Sequence, residues 1–229
     1  MCKLFFISEA SHVKPEHRQR LLNIMYRDQK DGIGAFSEEG YSKALSLEEM
    51  LYTPNFSFTI RPQLLEAGNP WGGHSLAIHS RTSTNKIDLM HTHPLIVDNC
   101  LFAHNGIVTV PKKHDFLLHT SNDSEYLANV VNKKPLKDMA KISGYYAFIN
   151  WNGEEWTIGK DDTAQLHIAK ILSGKGGFII STKAHDIREA AQVLGIEIAQ
   201  VEDILPFTLL TIKQGIIVNV GELPRSEIK

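Results

Sequence analysis

Met1-Cys2-Lys3-Leu4-Phe5-Phe6-Ile7-Ser8 is the stretch whose reading decides the fold. A thiol stands one residue behind the initiator, at the head of an apolar run with β character. Once the initiator methionine is removed, Cys2 is the first residue and carries a nucleophilic sulfur and a free α-amine on one backbone unit. Such an amine titrates near roughly 7.7–8.0, so much of it is a usable base at neutral pH, and a thiol near roughly 8.5 is already partly ionised. One residue then holds nucleophile and base together. The plainer alternative is an ordinary buried strand whose second residue follows translation-initiation preference, and the rest of the chain has to decide between the two.

The totals narrow the field. A chain of 229 residues with 42% hydrophobic content suits one large domain or two small ones with ample material for a core. Lys and Arg number 24 against 26 Asp and Glu, and no basic block exceeds pairs such as Lys112-Lys113 and Lys133-Lys134. Nucleic acid is therefore not expected as a partner. Leu4 to Ile7 is too short for a signal h-region and no apolar span approaches membrane length, so a cytoplasmic protein without a membrane partner is expected. Two cysteines make no disulfide framework, and Cys100, before Leu101-Phe102-Ala103, reads as an inert core thiol.

Downstream of the first strand, a helix is predicted from Pro15 to about Asp28, with Pro15 in its first turn and Leu21, Leu22 and Met25 on one face. It leads to Asp31-Gly32-Ile33-Gly34, where glycines two apart mark a bend or a close approach. No Lys-Ser/Thr follows, so this is not a phosphate loop. Ser46-Leu47-Glu48-Glu49 has capping-box spacing before a short helix. His79-Ser80-Arg81-Thr82-Ser83-Thr84 runs from a strand into a polar segment, and His91-Thr92-His93-Pro94 follows. Leu101-Phe102-Ala103-His104-Asn105-Gly106-Ile107-Val108 places an Asn-Gly pair, usually a hairpin signal, inside strand-like residues that continue through it. Asn122-Asp123-Ser124-Glu125 opens a helix to about Val131.

The final third reads as scaffold. A two-residue hairpin turn is expected at Asn152-Gly153 and another at Gln214-Gly215. Leu166–Ile171 pairs with Phe178–Ser181, and a helix from about Ala184 ends at Gly195. No repeat, low-complexity tract or long linker divides the chain. Many strands and three or four helices in mixed order predict one α+β domain over 1–229.

Cys2, the Gly-x-Gly segment at 32–34, His79-x-Arg81-x-x-Thr84, Ala103-His104-Asn105-Gly106 and Asn122-Asp123-Ser124-Glu125 occur in an order and at separations that resemble the glutaminase domain of class II glutamine amidotransferases, which are N-terminal-nucleophile hydrolases. The resemblance runs from Cys2 to about Val220. It implies a four-layer αββα sandwich of two mainly antiparallel sheets. It also implies hydrolysis of the glutamine side-chain amide, with release of ammonia and glutamate and no cofactor. Cys2 would attack the amide with its own α-amine as base and form a thioester. Asn105 and Gly106 would form the oxyanion hole. Arg81 would grip the substrate α-carboxylate through its planar fork. Asp123 would hold the α-ammonium while also suiting a helix N-terminus. Thr84 and the Gly32–Gly34 segment would shape the pocket.

The chain departs from the family at Lys3-Leu4. Many members continue Cys-Gly-Ile, whereas small stand-alone members begin Cys-Arg-x-Leu, and some of those cleave other γ-glutamyl amides. Larger members fuse the glutaminase to a synthase that consumes the ammonia, for which this chain has no room. The expected partners are thus L-glutamine or another γ-glutamyl amide and a separate ammonia-accepting synthase, or else glutamate is itself the product. A catalytically silent glutamine-binding module is a third reading. Zinc on His79, His91, His93 and His104 is a rival, but no carboxylate or Cys stands at ligand spacing and there is no His-Glu-x-x-His. No metal is expected, and His93 and His104 read as structural or pocket-lining.

Overall fold

The apolar run behind Cys2 forms a strand, and a sheet is built outward from it on both sides. The structure, a computed structural model, describes residues 2–51, 64–83 and 86–225. In chain order the strands are β1 (Lys3–Ile7), β2 (Ile33–Ser37), β3 (Gly40–Ala44), β4 (Leu64–Gly68), β5 (Leu76–Ser80), β6 (Leu95–Val97) and β7 (Cys100–Val108). They continue as β8 (Gly144–Trp151), β9 (Trp156–Lys160), β10 (His167–Lys170), β11 (Phe178–Ser181), β12 (Glu202–Asp203), β13 (Thr208–Lys213) and β14 (Ile216–Glu222). The helices are α1 (Pro15–Tyr26), α2 (Leu47–Leu51), α3 (Asp123–Lys133) and α4 (Ala184–Leu194).

Among the described residues these strands make two sheets. The first runs β12-β10-β11-β1-β5-β2-β3-β4 and the second β14-β13-β9-β8-β7-β6, with antiparallel pairing throughout. Side-chain alternation assigns the layers. Phe5 and Ile7 pack with Leu21, Leu22 and Met25 of α1 and Ile187 and Ala190 of α4. Leu4 and Phe6, on the other face of β1, meet Ala103, Ile149 and Trp156 of the second sheet. Phe102 and Phe148 on that sheet's far side pack against Leu127 and Val130 of α3. The result is the four-layer αββα sandwich that the resemblance implies, and Cys2, by its parity with Leu4 and Phe6, belongs to the space between the sheets.

Several local expectations are met for their stated reasons. Ser46 and Glu49 cap each other reciprocally, Glu49 N–H donating to Ser46 Oγ and Ser46 N–H to Glu49 Oε2, each at 3.2 Å. Gly195 ends α4 in the left-handed region at φ 66°. Gln214 and Gly215 sit at φ 48° and 73° between Lys213 and Ile216, the two-residue turn anticipated. The Asn152-Gly153 turn differs. Trp151 pairs with Trp156, leaving the four residues 152–155 in the loop. Asn152 Oδ1 accepts from the N–H groups of Glu154 (3.0 Å) and Glu155 (2.9 Å), so the asparagine side chain takes the place of a backbone turn.

Lys3 has no exposed surface. Its Nζ donates to the Ile24 carbonyl at 3.0 Å near the end of α1, and lies 3.4 Å from Asp186 on α4 and 3.3 Å from Asp28. This cation pins β1 to both helices. Lys3→Met should lower the unfolding free energy by about 3–5 kcal/mol, because Asp186 is then buried without its innermost cation. Lys3→Met combined with Asp186→Leu should recover most of that loss, and urea denaturation of both variants at pH 7 measures it.

Candidate active site

Cys2, Arg81, Asn105, Gly106 and Asp123, singled out from the sequence, all line one cleft of about 170 Å³. They arrive from both sheets and from α3. Cys2 stands at the head of β1, half-buried, with its thiol donating to the Thr82 carbonyl at 3.6 Å. Burial pushes the thiol above its ordinary range. The resting sulfur therefore holds its proton, and any chemistry at Cys2 needs a base.

Arg81 follows β5, where the ladder continues beyond the strand. Its N–H donates to the Gly32 carbonyl at 2.8 Å, and its carbonyl accepts from Asp31 N–H at 3.1 Å. The backbone is thus held on both sides while the side chain is 4% exposed. Burial pulls the guanidinium below its usual pKa, an environment in which an anionic ligand is favoured.

Asn105 and Gly106 lie inside β7, paired with Ala147 and Tyr146 of β8 without interruption. Glycine is obligatory at 106. Its φ is 150°, and a Cβ there would fall 2.1 Å from the Tyr145 carbonyl oxygen and 2.8 Å from His104 Nε2. Asn105 is buried, and its Oδ1 finds no hydrogen-bond partner among the described residues. Asp123 is the first residue of α3, capped by Asn122, whose side chain accepts from Ser124 N–H at 3.1 Å. Asp123 Oδ2 accepts from Val108 N–H at 2.8 Å, which ties the helix start to the strand carrying Asn105 and Gly106.

The remaining expectations divide. Thr84 lies outside the described residues. Gly32 and Gly34 do not line the cleft; they admit a neighbouring segment. A Cβ on Gly34 would meet the His93 carbonyl at 2.1 Å, and one on Gly32 would meet Thr92 Oγ1 at 2.7 Å. From the other side the buried Lys43 donates to the carbonyls of Thr92 (2.8 Å) and Pro94 (3.0 Å). Burial draws that ammonium down to about 8. Cys100 is buried, as expected of a core thiol.

Thr82, His93, His104, Ser124 and Tyr145 also line the cleft. Thr82 occupies an unassigned position within the His79-x-Arg81-x-x-Thr84 pattern, and Tyr145 carries no sequence signal because it arrives through β-pairing alone. His79, His93 and His104 form a buried group. His79 Nε2 lies 3.2 Å from both the His104 carbonyl and His93 Nδ1, and His104 Nδ1 lies 2.9 Å from Ser124 Oγ. Among the described residues no group of three or more His, Cys, Asp or Glu side chains is placed to hold a metal ion. His91 instead sits with Asp88, at 2.7 Å.

Burial lowers all three imidazoles, His79 to about 3, His104 to about 4 and His93 well below its ordinary value. The unfolded chain takes up these protons near pH ~6.5 and the folded chain does not. Their contribution to stability is thus fully present above pH ~6.5 and is lost as pH falls toward the folded values. Each should contribute a slope of about 1.4 kcal/mol per pH unit below that point. Urea unfolding at pH 7.5, 6.0 and 5.0 should show the decline, and His79→Gln should flatten it by one imidazole's share.

No family model matches the chain, and no curated protein matches it in sequence. Solved structures do. A glutamine phosphoribosylpyrophosphate (PRPP) amidotransferase from B. subtilis, complexed with ADP and GMP, matches with a TM-score of 0.65 at 14% identity, over 98% of this chain and 49% of its own. A structure described as the allosteric regulatory enzyme of purine biosynthesis matches with a TM-score of 0.70 at 15% identity, over the same shares. The chain thus spans about half the length of either. At such identities the likeness is one of architecture: two antiparallel sheets between helical layers, an α+β sandwich shared with both structures.

Proposed function

We propose that this chain hydrolyses the side-chain amide of glutamine through a thioester on Cys2, releasing ammonia and glutamate. The observation that carries the reading is the convergence of Cys2, Arg81, Asn105, Gly106 and Asp123 on one cleft, although up to 121 positions separate them in sequence. The fold shared with a glutamine amidotransferase supports it.

The α-amine of Cys2 removes the thiol proton as sulfur attacks the amide carbon. Burial makes this base necessary, since the thiol does not ionise readily by itself. Charge moves to the carbonyl oxygen, where the Asn105 side-chain amide and the Gly106 N–H donate. The intermediate collapses, the C–N bond breaks, and the amine passes its proton to the departing ammonia. Water then adds to the thioester by the same route, giving glutamate and the free thiol. Arg81 and Asp123 hold the α-carboxylate and α-ammonium, one cation and one anion for an amino-acid backbone.

The ammonia passes to a separate synthase, and the protein works in the cytoplasm. No helix among the described residues is long and apolar enough to cross a membrane. A stand-alone γ-glutamyl amide hydrolase is the second reading. It is favoured by Lys3-Leu4 after the nucleophile and by recognition groups that touch only the glutamyl half. Faster turnover of γ-glutamyl peptides than of glutamine, with no stimulating partner, would establish it over the first.

Cys2→Ala should abolish ammonia release from glutamine while retaining glutamine binding by calorimetry. Asn105→Ala should lower kcat about 10²–10³-fold with KM changed little, as befits a donor acting on charge formed in the transition state. The active form should have lost Met1, because the mechanism needs an unblocked amine on Cys2. An intact mass that retains Met1 in a fully active preparation contradicts it.

A further inference from the structure

His93 is 3% exposed and lines the cleft, and the proposed reaction does not use it. Its tautomer follows from its neighbours. The His104 carbonyl accepts only, so His79, 3.2 Å away, carries its proton on Nε2. That same Nε2–H lies 3.2 Å from His93 Nδ1, which must therefore offer a lone pair. The rings meet edge-on, at 77° with centroids 4.2 Å apart. A neutral His93 accepting at Nδ1 bears its hydrogen on Nε2. His93 Nε2 is buried and finds no hydrogen-bond partner among the described residues. An orphaned buried donor is rarer than an orphaned acceptor and needs an explanation, and in a residue that lines a cleft a ligand supplies one.

The ring is held in place. Lys43 grips the carbonyls on either side of it, at Thr92 and Pro94, and the absence of a side chain on Gly34 lets the His93 backbone seat against β2. Its position also bears on which ligand atom it meets. His79 and Arg81 are two residues apart along the extended ladder and so share a face. His93, 3.2 Å from His79, therefore stands beside the face that carries Arg81, and the His104 carbonyl that His79 also meets leads into Asn105 and Gly106 on the opposite sheet.

We infer that His93 is a substrate-binding residue whose Nε2–H donates to the α-carboxylate that Arg81 holds, an uncharged second donor beside the guanidinium. This rests on the glutamine reading above. It gives the site a way to recognise a carboxylate by direction as well as by charge, without placing a second cation in a buried cleft already occupied by one.

The test uses the ability of glutamine and asparagine side chains to imitate the two ring nitrogens. His93→Gln places an amide N–H near the Nε2 position, whereas His93→Asn reaches only the Nδ1 position and His93→Leu offers no donor. Steady-state ammonia release from L-glutamine is measured for the wild type and all three, with thermal melting to confirm folding. The expected result is a KM raised about tenfold or more in the Asn and Leu variants, kcat within about threefold, and near wild-type KM in the Gln variant. A fall in kcat at constant KM places His93 at the reacting amide and overturns the carboxylate assignment. Equal behaviour of the Gln and Asn variants overturns the donor. Absence of turnover in the wild type overturns the glutaminase reading itself, a result distinct from either.

Discussion

The buried ammonium of Lys3 sets the register on which the rest of the molecule depends. A strand's side chains alternate between two faces, so a slip of one residue exchanges every one of them. With Lys3 turned toward α1 and α4, where Ile24, Asp28 and Asp186 receive it, Leu4 and Phe6 face the second sheet and so does Cys2. The opposite register would set an ammonium among Phe36, Trp156 and Ile158 and would bury Cys2 between helices. An apolar residue at position 3 would pack as well in either arrangement. A charge does not, and its value here lies in excluding the alternative more than in raising stability.

The sequence was most informative where a local signal and its physical cause coincide. The apolar run behind Cys2, the reciprocal caps of Ser46 and Glu49, the glycine after α4 and the helix start at Asn122 depend on neighbours a few residues away, and each forms as expected. The Asn105-Gly106 pair was legible for a different reason: strand-like residues on both sides outweighed a turn signal, and the pairing with β8 runs straight through it. At Asn152-Gly153 the same dipeptide does turn the chain, but the asparagine side chain captures two backbone N–H groups and widens the loop to four residues. Dipeptide identity marks the place and the flanking hydrogen bonds decide the geometry.

What could not be read was non-local. Gly32 and Gly34 invite a pocket-shaping role, and only the approach of residues 92–94 from a distant segment shows them to be clearance, Gly32 for the Thr92 side chain and Gly34 for the His93 backbone. Tyr145 enters the cleft because Gly144 to Trp151 pairs with β7, a partnership that no spacing announces. His79, His93 and His104 look alike in sequence. In the structure the His104 carbonyl, which only accepts, fixes the proton of His79 on Nε2, whereas His104 Nδ1 meets the Ser124 hydroxyl, which can donate or accept. Cavity size is no guide either. A larger cavity of about 580 Å³ opens between the sheet edges near Ile168, Phe178 and Ile217, and it contains neither a nucleophile nor a buried cation.

Burial links the parts of the smaller cleft. It raises the Cys2 thiol and lowers the Arg81 guanidinium and the three imidazoles, so that each of these groups is driven toward its uncharged form. On the proposed reading, a carboxylate entering such surroundings strengthens its attraction to Arg81 by displacing the water that would screen it. The same low polarity makes each donor to a forming oxyanion worth more than it would be in water. On the proposed reading, then, the sulfur keeps its proton until the Cys2 amine removes it during attack.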